Sequence, residues 1–284
     1  MEKKSFQLSA RSKTYNFKSY AKINISLYVG PPNSEGLHPL SSIFQQISLH
    51  DDIMLQPRDH AHSVTFVGQD VPSDNTCTKV LDILSSRLQQ YWDIQITKHI
   101  PTGAGLGGGS SNAATVLSAL NELESLELSM VDMESIASSV GSDVSFFLHG
   151  GQCKVTGTGD CIEPVETPVG PPYYVLILSD IHCSTRDVYM TLDELGEFDD
   201  IETITNNDLS VIGYNRLLAP ALAVSSDLDE LYRQVLDITN GIAFMSGSGS
   251  TLVVPCQTLN DQKRMVDCLP KNVRKLQVNN GLFI

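Results

Sequence analysis

The sequence predicts an α+β protein of two domains, and three observations carry that reading. Strand-period and helix-period segments interleave through the first half of the chain. A proline- and glycine-rich stretch, "TPVGPPYY" at 167–174, then breaks the periodicity. Beyond it a second mixed set of strands and helices begins, so the expected domains are 1–168 and 169–284.

The elements follow in order. "AKINISLYV" (21–29) alternates apolar and polar residues and reads as a strand, as do "FQQISLHDDIML" (44–55) and "HSVTFVG" (62–68). Residues 77–92 have helical spacing, with Val80, Leu81, Leu84 and Leu88 on one face. "DIQITKHI" (93–100) is a strand that runs into the glycine-rich "PTGAGLGGGSSNAA" (101–114). Ala113, Val116, Leu117 and Leu120 then mark a helix starting near Ser110 or Ser111, either of which suits an N-cap. A further helix starts after Ser129 and stops at Gly141, which suits a C′ position, and 142–151 opens a short helix or turn. In the second half, strands are expected at 174–179 and 273–280, and helices near 186–195, 226–238 and 259–268. "GIAFMSGSGSTLVVP" (241–255) joins the last two helices.

Composition narrows the function. With 41% hydrophobic and 18% charged residues the chain has the material for a core and is not a disordered type. A net charge of −14 argues against a nucleic-acid partner, because such binding rests on Lys and Arg meeting phosphates. Any anionic substrate would need a local cluster of donors set against that field. No apolar stretch approaches membrane-spanning length, and the N-terminus is polar through Tyr20, without a signal-like apolar run. The six cysteines include no C-x-x-C pair, which speaks against a zinc or thioredoxin-type site and for reduced thiols in a cytoplasmic protein. His60 and His62 alternate on a strand but read as surface histidines rather than a metal site.

The glycine loop is the strongest local signal. Gly103, Gly105 and Gly108 match G-x-G-x-x-G, but no acidic residue follows at the end of a next strand, where a dinucleotide-binding unit needs one. No lysine follows Gly109, so a P-loop fails, and neither H-R-D nor D-F-G occurs, so a protein-kinase loop fails. The physics of an anion cradle still holds: five glycines between a strand and a helix let backbone N–H groups turn inward, and the helix adds its positive end. Ser110 and Ser111 add hydroxyls, one of which would suit a metal. The alternative is a flexible Gly/Ser turn.

"PTGAGLGGGSSNAA" resembles the P-x-x-x-G-L-G-(G)-G-S-S nucleotide loop of the GHMP kinases, the family of galactokinase, homoserine kinase and mevalonate kinase. "SYAKINISLYVG", "EGLHPLSSIFQQISLHDDI", "GSDVSFF", "GQCKVTGTGDCIEPV" and "MSGSGSTL" resemble further marks of one branch. That branch phosphorylates a methylerythritol carrying a cytidine diphosphate group, on the non-mevalonate route to isoprenoids. The resemblance implies a ribosomal-protein-S5-like N-terminal domain, a ferredoxin-like C-terminal domain, ATP and Mg2+ as cofactors, and a small-molecule acceptor with a cytidine diphosphate group.

The same resemblance assigns roles. Pro101, Gly103, Gly105, Leu106, Gly107, Gly108, Gly109, Ser110 and Ser111 would hold the nucleotide. Asp143 would accept the proton of the acceptor hydroxyl, with Lys22 beside it; from spacing alone Asp143 reads as a helix N-cap and Lys22 as a strand lysine facing water. Asn24 shares the strand face of Lys22 and would touch substrate, or else belong to a solvated polar face. His38 matches the histidine of the family's G-Y-H-E-type stretch, which reads cytosine, although Leu37 replaces the aromatic and Pro39 the acid. Thr185 is a substrate contact or a helix cap, and Gly247 and Ser248 form a second small turn over the substrate's distal end. Asn215 is left out of the site, because Arg216 follows it where the family's N-D-L pattern has an acid.

Overall fold

The computed structural model describes residues 13–281. A long antiparallel pair, β1 (Tyr15–Val29) and β2 (Leu40–Arg58), anchors a six-stranded sheet with β3 (Ser63–Val67), β4 (Tyr91–Thr97), β5 (Gln152–Thr156) and β6 (Cys161–Pro164). Its order is β3-β4-β2-β5-β6, with β1 paired to β2 beside this path. Helices α1 (Thr76–Leu84), α2 (Gly108–Leu123), α3 (Met130–Val140) and α4 (Val144–His149) bury their apolar stripes with Trp92, Ile94 and Ile96 of β4. A four-stranded sheet follows, in the order β10-β7-β9-β8: β7 (Tyr173–Leu178), β8 (Phe244–Met245), β9 (Leu252–Cys256) and β10 (Arg274–Asn279). With it go α5 (Thr185–Leu195), α6 (Asn206–Leu209), α7 (Leu218–Val224), α8 (Ser226–Thr239) and α9 (Leu259–Cys268). The two sheets and their helices are the α+β arrangement expected.

The halves share a core. Ala21, Ile23 and Ile25 of β1 pack with Tyr174, Leu176 and Phe244 of the second half. Strand side chains alternate, so this docking turns Lys22 and Asn24 to the opposite face. That face is covered too: β1 is buried continuously from Ala21 to Val29. The solvated polar face that alternation suggests is therefore absent, because a second layer lies over it.

Several expected boundaries moved. The helix expected over 77–92 ends at Leu84. Trp92, 1% exposed, is instead drawn into β4, where its indole N–H donates to Glu124 Oε1 at 2.7 Å. Burying the indole in the core outweighs helical spacing that continues only weakly past Leu84. Neither Ser110 nor Ser111 caps α2; Gly107 does, in the left-handed region at φ 70°. By contrast, Ser129 caps α3 with a capping box, as its place before the helical run suggests. Helix α7 is not among the expected elements; Pro220 sits in its first turn, where its missing N–H costs nothing.

Burial also sorts the thiols. It pushes Cys77 up to about 12 and Cys153 and Cys256 to about 11, while Cys161 and Cys268 are exposed. Because the thiolate is the reactive form, a disulfide reagent at neutral pH is expected to titrate Cys161 and Cys268 rapidly and the rest only on unfolding. Rapid reaction of Cys77 in the folded protein would contradict this packing.

Candidate active site

The glycine loop is the wall between two cavities. The larger, about 610 Å³, is lined by residues of both halves, including Lys22, Asn24, His38, Asp143, Thr185, Tyr189 and Ser248. The smaller, about 380 Å³, is lined by Pro101, the loop from Gly103 to Ser110, and Lys98. Gly105, Gly107 and Ser110 border both.

Close packing explains why the loop is glycine. Gly105 stands at φ 74°, and a Cβ there would collide with the Ser246 carbonyl oxygen. At Gly107 a Cβ would lie 2.7 Å from Phe147 Cζ, and at Gly108 2.9 Å from Ile100 Cγ2. The Lys22 N–H donates to the Leu106 carbonyl at 3.0 Å, and the Ser246 hydroxyl to that of Gly105 at 3.0 Å, so the loop is tied to both halves. Capping by Gly107 supplies no side-chain oxygen, which leaves the first N–H groups of α2 to an anion from outside. A serine cap would have occupied them.

The loop residues divide by surroundings. Pro101, Gly103, Leu106, Gly108 and Gly109 face the smaller cavity, and the Ser110 hydroxyl, unengaged among the described residues, stands where the cavities meet. Ser111 departs from expectation. It is 2% exposed, its hydroxyl accepts from Ser19 Oγ at 2.7 Å, and its N–H donates to the Gly107 carbonyl. One residue further round the helix, its side chain points into the sheet rather than the cavity. Beneath it lies a network no sequence pattern announces: buried Asp51 accepts from Lys98 Nζ, Asn112 Nδ2 and the N–H groups of His99 and Ile100.

Lys22 and Asp143 meet at the floor of the larger cavity, Nζ to Oδ2 at 3.4 Å. Register breaks on either side of Lys22–Asn24 let β1 re-aim these side chains. Lys22 Nζ also donates to Asn24 Oδ1 at 2.8 Å and lies 4.1 Å from the centre of the Phe44 ring. Asn24 Nδ2 in turn donates to Ser42 Oγ at 3.1 Å. Asn24 thus borders the cavity with both amide atoms engaged, and it holds Lys22. Asp143 occupies the cap position of α4, but its side chain makes no capping bond. The carboxylate, 29% exposed, is free to meet a ligand.

At the far end, one hydrogen bond fixes the His38 ring. Nδ1 lies 2.9 Å from the Gly30 carbonyl, which fixes it as the donor, and Nε2 faces Asp193 Oδ1 at 3.3 Å. With Nδ1 donating, a neutral ring has only a lone pair at Nε2, which a carboxylate cannot bond, so Nε2 lies near Asp193 without a hydrogen bond. An aromatic ring does stand at this end, on α5: Tyr189 lines the cavity with its ring centre 5.0 Å from that of His38. Burial, and secondarily the charge of Asp143, pushes the Tyr189 phenol up to about 12, so it stays neutral. Helical spacing from Thr185 was the one sequence sign of Tyr189.

Thr185 does not cap α5; Ser184 does, and the Thr185 hydroxyl bonds Ser248 Oγ at 2.8 Å. Asn215 lines neither cavity, but it supports one from behind. Its Nδ2 donates to the carbonyls of Met245 and Gly247, holding the second glycine turn, while Arg216 is taken by Asp199 at 2.5 Å. Among the described residues no three His, Cys, Asp or Glu side chains gather as a metal site, and no helix is long and apolar enough to cross a membrane.

Comparison with known proteins gives the family. Residues 75–151 match the GHMP kinases N terminal domain. The chain is 36% identical over 252 residues to the chloroplastic 4-diphosphocytidyl-2-C-methyl-D-erythritol kinase of Arabidopsis thaliana, covering 83% of this chain and 66% of that one. It is 35% identical to the kinase of the same name from Alkaliphilus oremlandii, covering 83% and 85%. A crystal structure of 4-(cytidine 5'-diphospho)-2C-methyl-D-erythritol kinase superposes with a TM-score of 0.76 at 27% identity, covering 94% of this chain and all of that one. The chain spans slightly under two thirds of the length of the plant relatives, whose matched shares are 66% and 63%.

Proposed function

Because the chain belongs to the GHMP kinases, and among them to the 4-diphosphocytidyl-2-C-methyl-D-erythritol kinases, we propose that it phosphorylates the 2-hydroxyl of 4-diphosphocytidyl-2-C-methyl-D-erythritol with ATP. The observation that carries this reading is the meeting of Lys22 and Asp143 beside the glycine loop, on the wall that two cavities share. ATP occupies the smaller cavity, with its phosphates on the loop and the start of α2. The acceptor occupies the larger one. On this reading residues 1–168 bind the nucleotide and hold the catalytic pair, and 169–284 close over the acceptor.

The acceptor oxygen attacks the γ-phosphorus as the bond to the bridging oxygen of ADP breaks. Asp143 takes the hydroxyl proton, and ADP leaves with the bridging oxygen. Lys22, held by Asn24, keeps a positive charge beside both Asp143 and the oxygen that gains negative character. Mg2+ would neutralise phosphate charge; it takes few protein ligands and keeps waters, so the lone Ser110 hydroxyl at the junction fits it without a carboxylate cluster. Asn24, Thr185, Gly247 and Ser248 line the acceptor's path, and Tyr189 and the His38–Asp193 pair await the base.

The test is ADP release with ATP, Mg2+ and each candidate acceptor. Turnover is expected on the cytidylyl sugar alcohol. Turnover on homoserine or mevalonate instead would sink the assignment of acceptor.

A further inference from the structure

The larger cavity must accept a dianionic linker on a protein of net charge −14, and the question is which cation receives it. This rests on the acceptor reading above. Three long cationic side chains line the two cavities: Lys22, Lys98 and Arg186. Lys22 is 4% exposed and is shared by Asn24, Asp143 and the Phe44 ring. Lys98 is buried against Asp51 and Asn112. Arg186 is exposed and pairs with no carboxylate among the described residues. It follows directly on the first residue of α5, where a cation opposes the helix dipole, so its placement does nothing for the helix.

Its position along the cavity matches the chemistry of the linker. Residues 186, 189, 190 and 193 fall at i, i+3, i+4 and i+7 on α5, and all four line the cavity. The start of α5 lies toward the reacting end: Thr185 bonds Ser248, and the neighbouring Gly247 abuts Gly105 and Asn24. Its later turns lie toward the base end, where Asp193 meets His38. A nucleoside diphosphate ester laid along this face presents alcohol, diphosphate and base in that order. We infer that Arg186 is the receptor for the acceptor's diphosphate. Its planar fork suits two phosphoryl oxygens, and its exposure lets it swing onto the ligand as the ligand enters.

The test is calorimetric titration with CDP and with cytidine, on the wild type and on Arg186→Gln and Arg186→Lys. Wild type is expected to bind CDP more tightly than cytidine by about tenfold or more, as befits charge-assisted hydrogen bonds. Arg186→Gln is expected to bring the two ligands to within about threefold of each other, with Arg186→Lys between. An unchanged thermal midpoint for both variants shows that they fold. If wild type prefers CDP and Arg186→Gln keeps the full preference, Arg186 is not the receptor, while the acceptor reading stands. A wild type that binds CDP no better than cytidine overturns the inference also. A wild type that binds neither ligand overturns the acceptor reading itself, and this inference with it.

Discussion

Asp143→Asn is expected to lower kcat by a factor of about 10² to 10⁴, the range that a positioned general base contributes, while ATP affinity stays within a few-fold of wild type. The expectation separates two roles for one residue. As a helix cap, Asp143 would be replaced by Asn almost without loss, since both side chains cap well. In the structure, however, the carboxylate makes no capping bond and lies 3.4 Å from Lys22 Nζ at the cavity floor. Asn keeps the shape and removes the proton acceptor. Steady-state kinetics with a parallel ATP titration decides it: a near-normal kcat would take Asp143 out of the chemistry.

The second large effect concerns the loop. In Gly105→Ala the new Cβ meets the Ser246 carbonyl oxygen, a backbone atom that cannot step aside as a flexible side chain would. The position also needs φ 74°, which costs an alanine about 1 kcal/mol or more, and overpacking adds about 1–3 kcal/mol. The loop and the Ser246 turn would be forced apart, at the junction of the two cavities. ATP affinity is expected to fall by about tenfold or more, together with the thermal midpoint. Gly109→Ala is the contrast. Its nearest neighbour, Thr76 Oγ1, would be 3.6 Å from the new Cβ and its φ is not positive, so the midpoint is expected to hold or rise. Equal losses of stability in the two variants would refute the packing argument.

Much of this was legible in one dimension. Loop glycines carry backbone requirements that few other residues meet, so Gly103 to Gly109 announce themselves between a strand and a helix. The helical stripes of α2 and α3 and the cap at Ser129 are likewise local. What the chain order hid are the partners. Tyr189 brings an aromatic ring to the cavity that Leu37 also lines, but it lies on a helix about 150 positions away. Asn215 looked disqualified by its neighbour, yet Arg216 is used by Asp199 and leaves Asn215 to hold the Gly247 turn. Ser110 and Ser111 are equivalent in sequence, and only the turn of α2 sends one to the cavity and the other to Ser19.

By itself the sequence determined the α+β class and the anion-cradling loop, because these follow from periodicity and backbone permissiveness over short spans; the roles of Asp143 and Lys22 came only with the family resemblance. Only the tertiary structure decided what each polar side chain faces. Lys22 became part of a buried site rather than a solvated strand face because the second sheet docks on Ala21, Ile23 and Ile25, while the glycine loop and α4 close over the other side. His38 lost its free Nδ1 to the Gly30 carbonyl for the same kind of reason. A buried polar group must find a partner, and which partner it finds is set by packing across distances in sequence that no local pattern records.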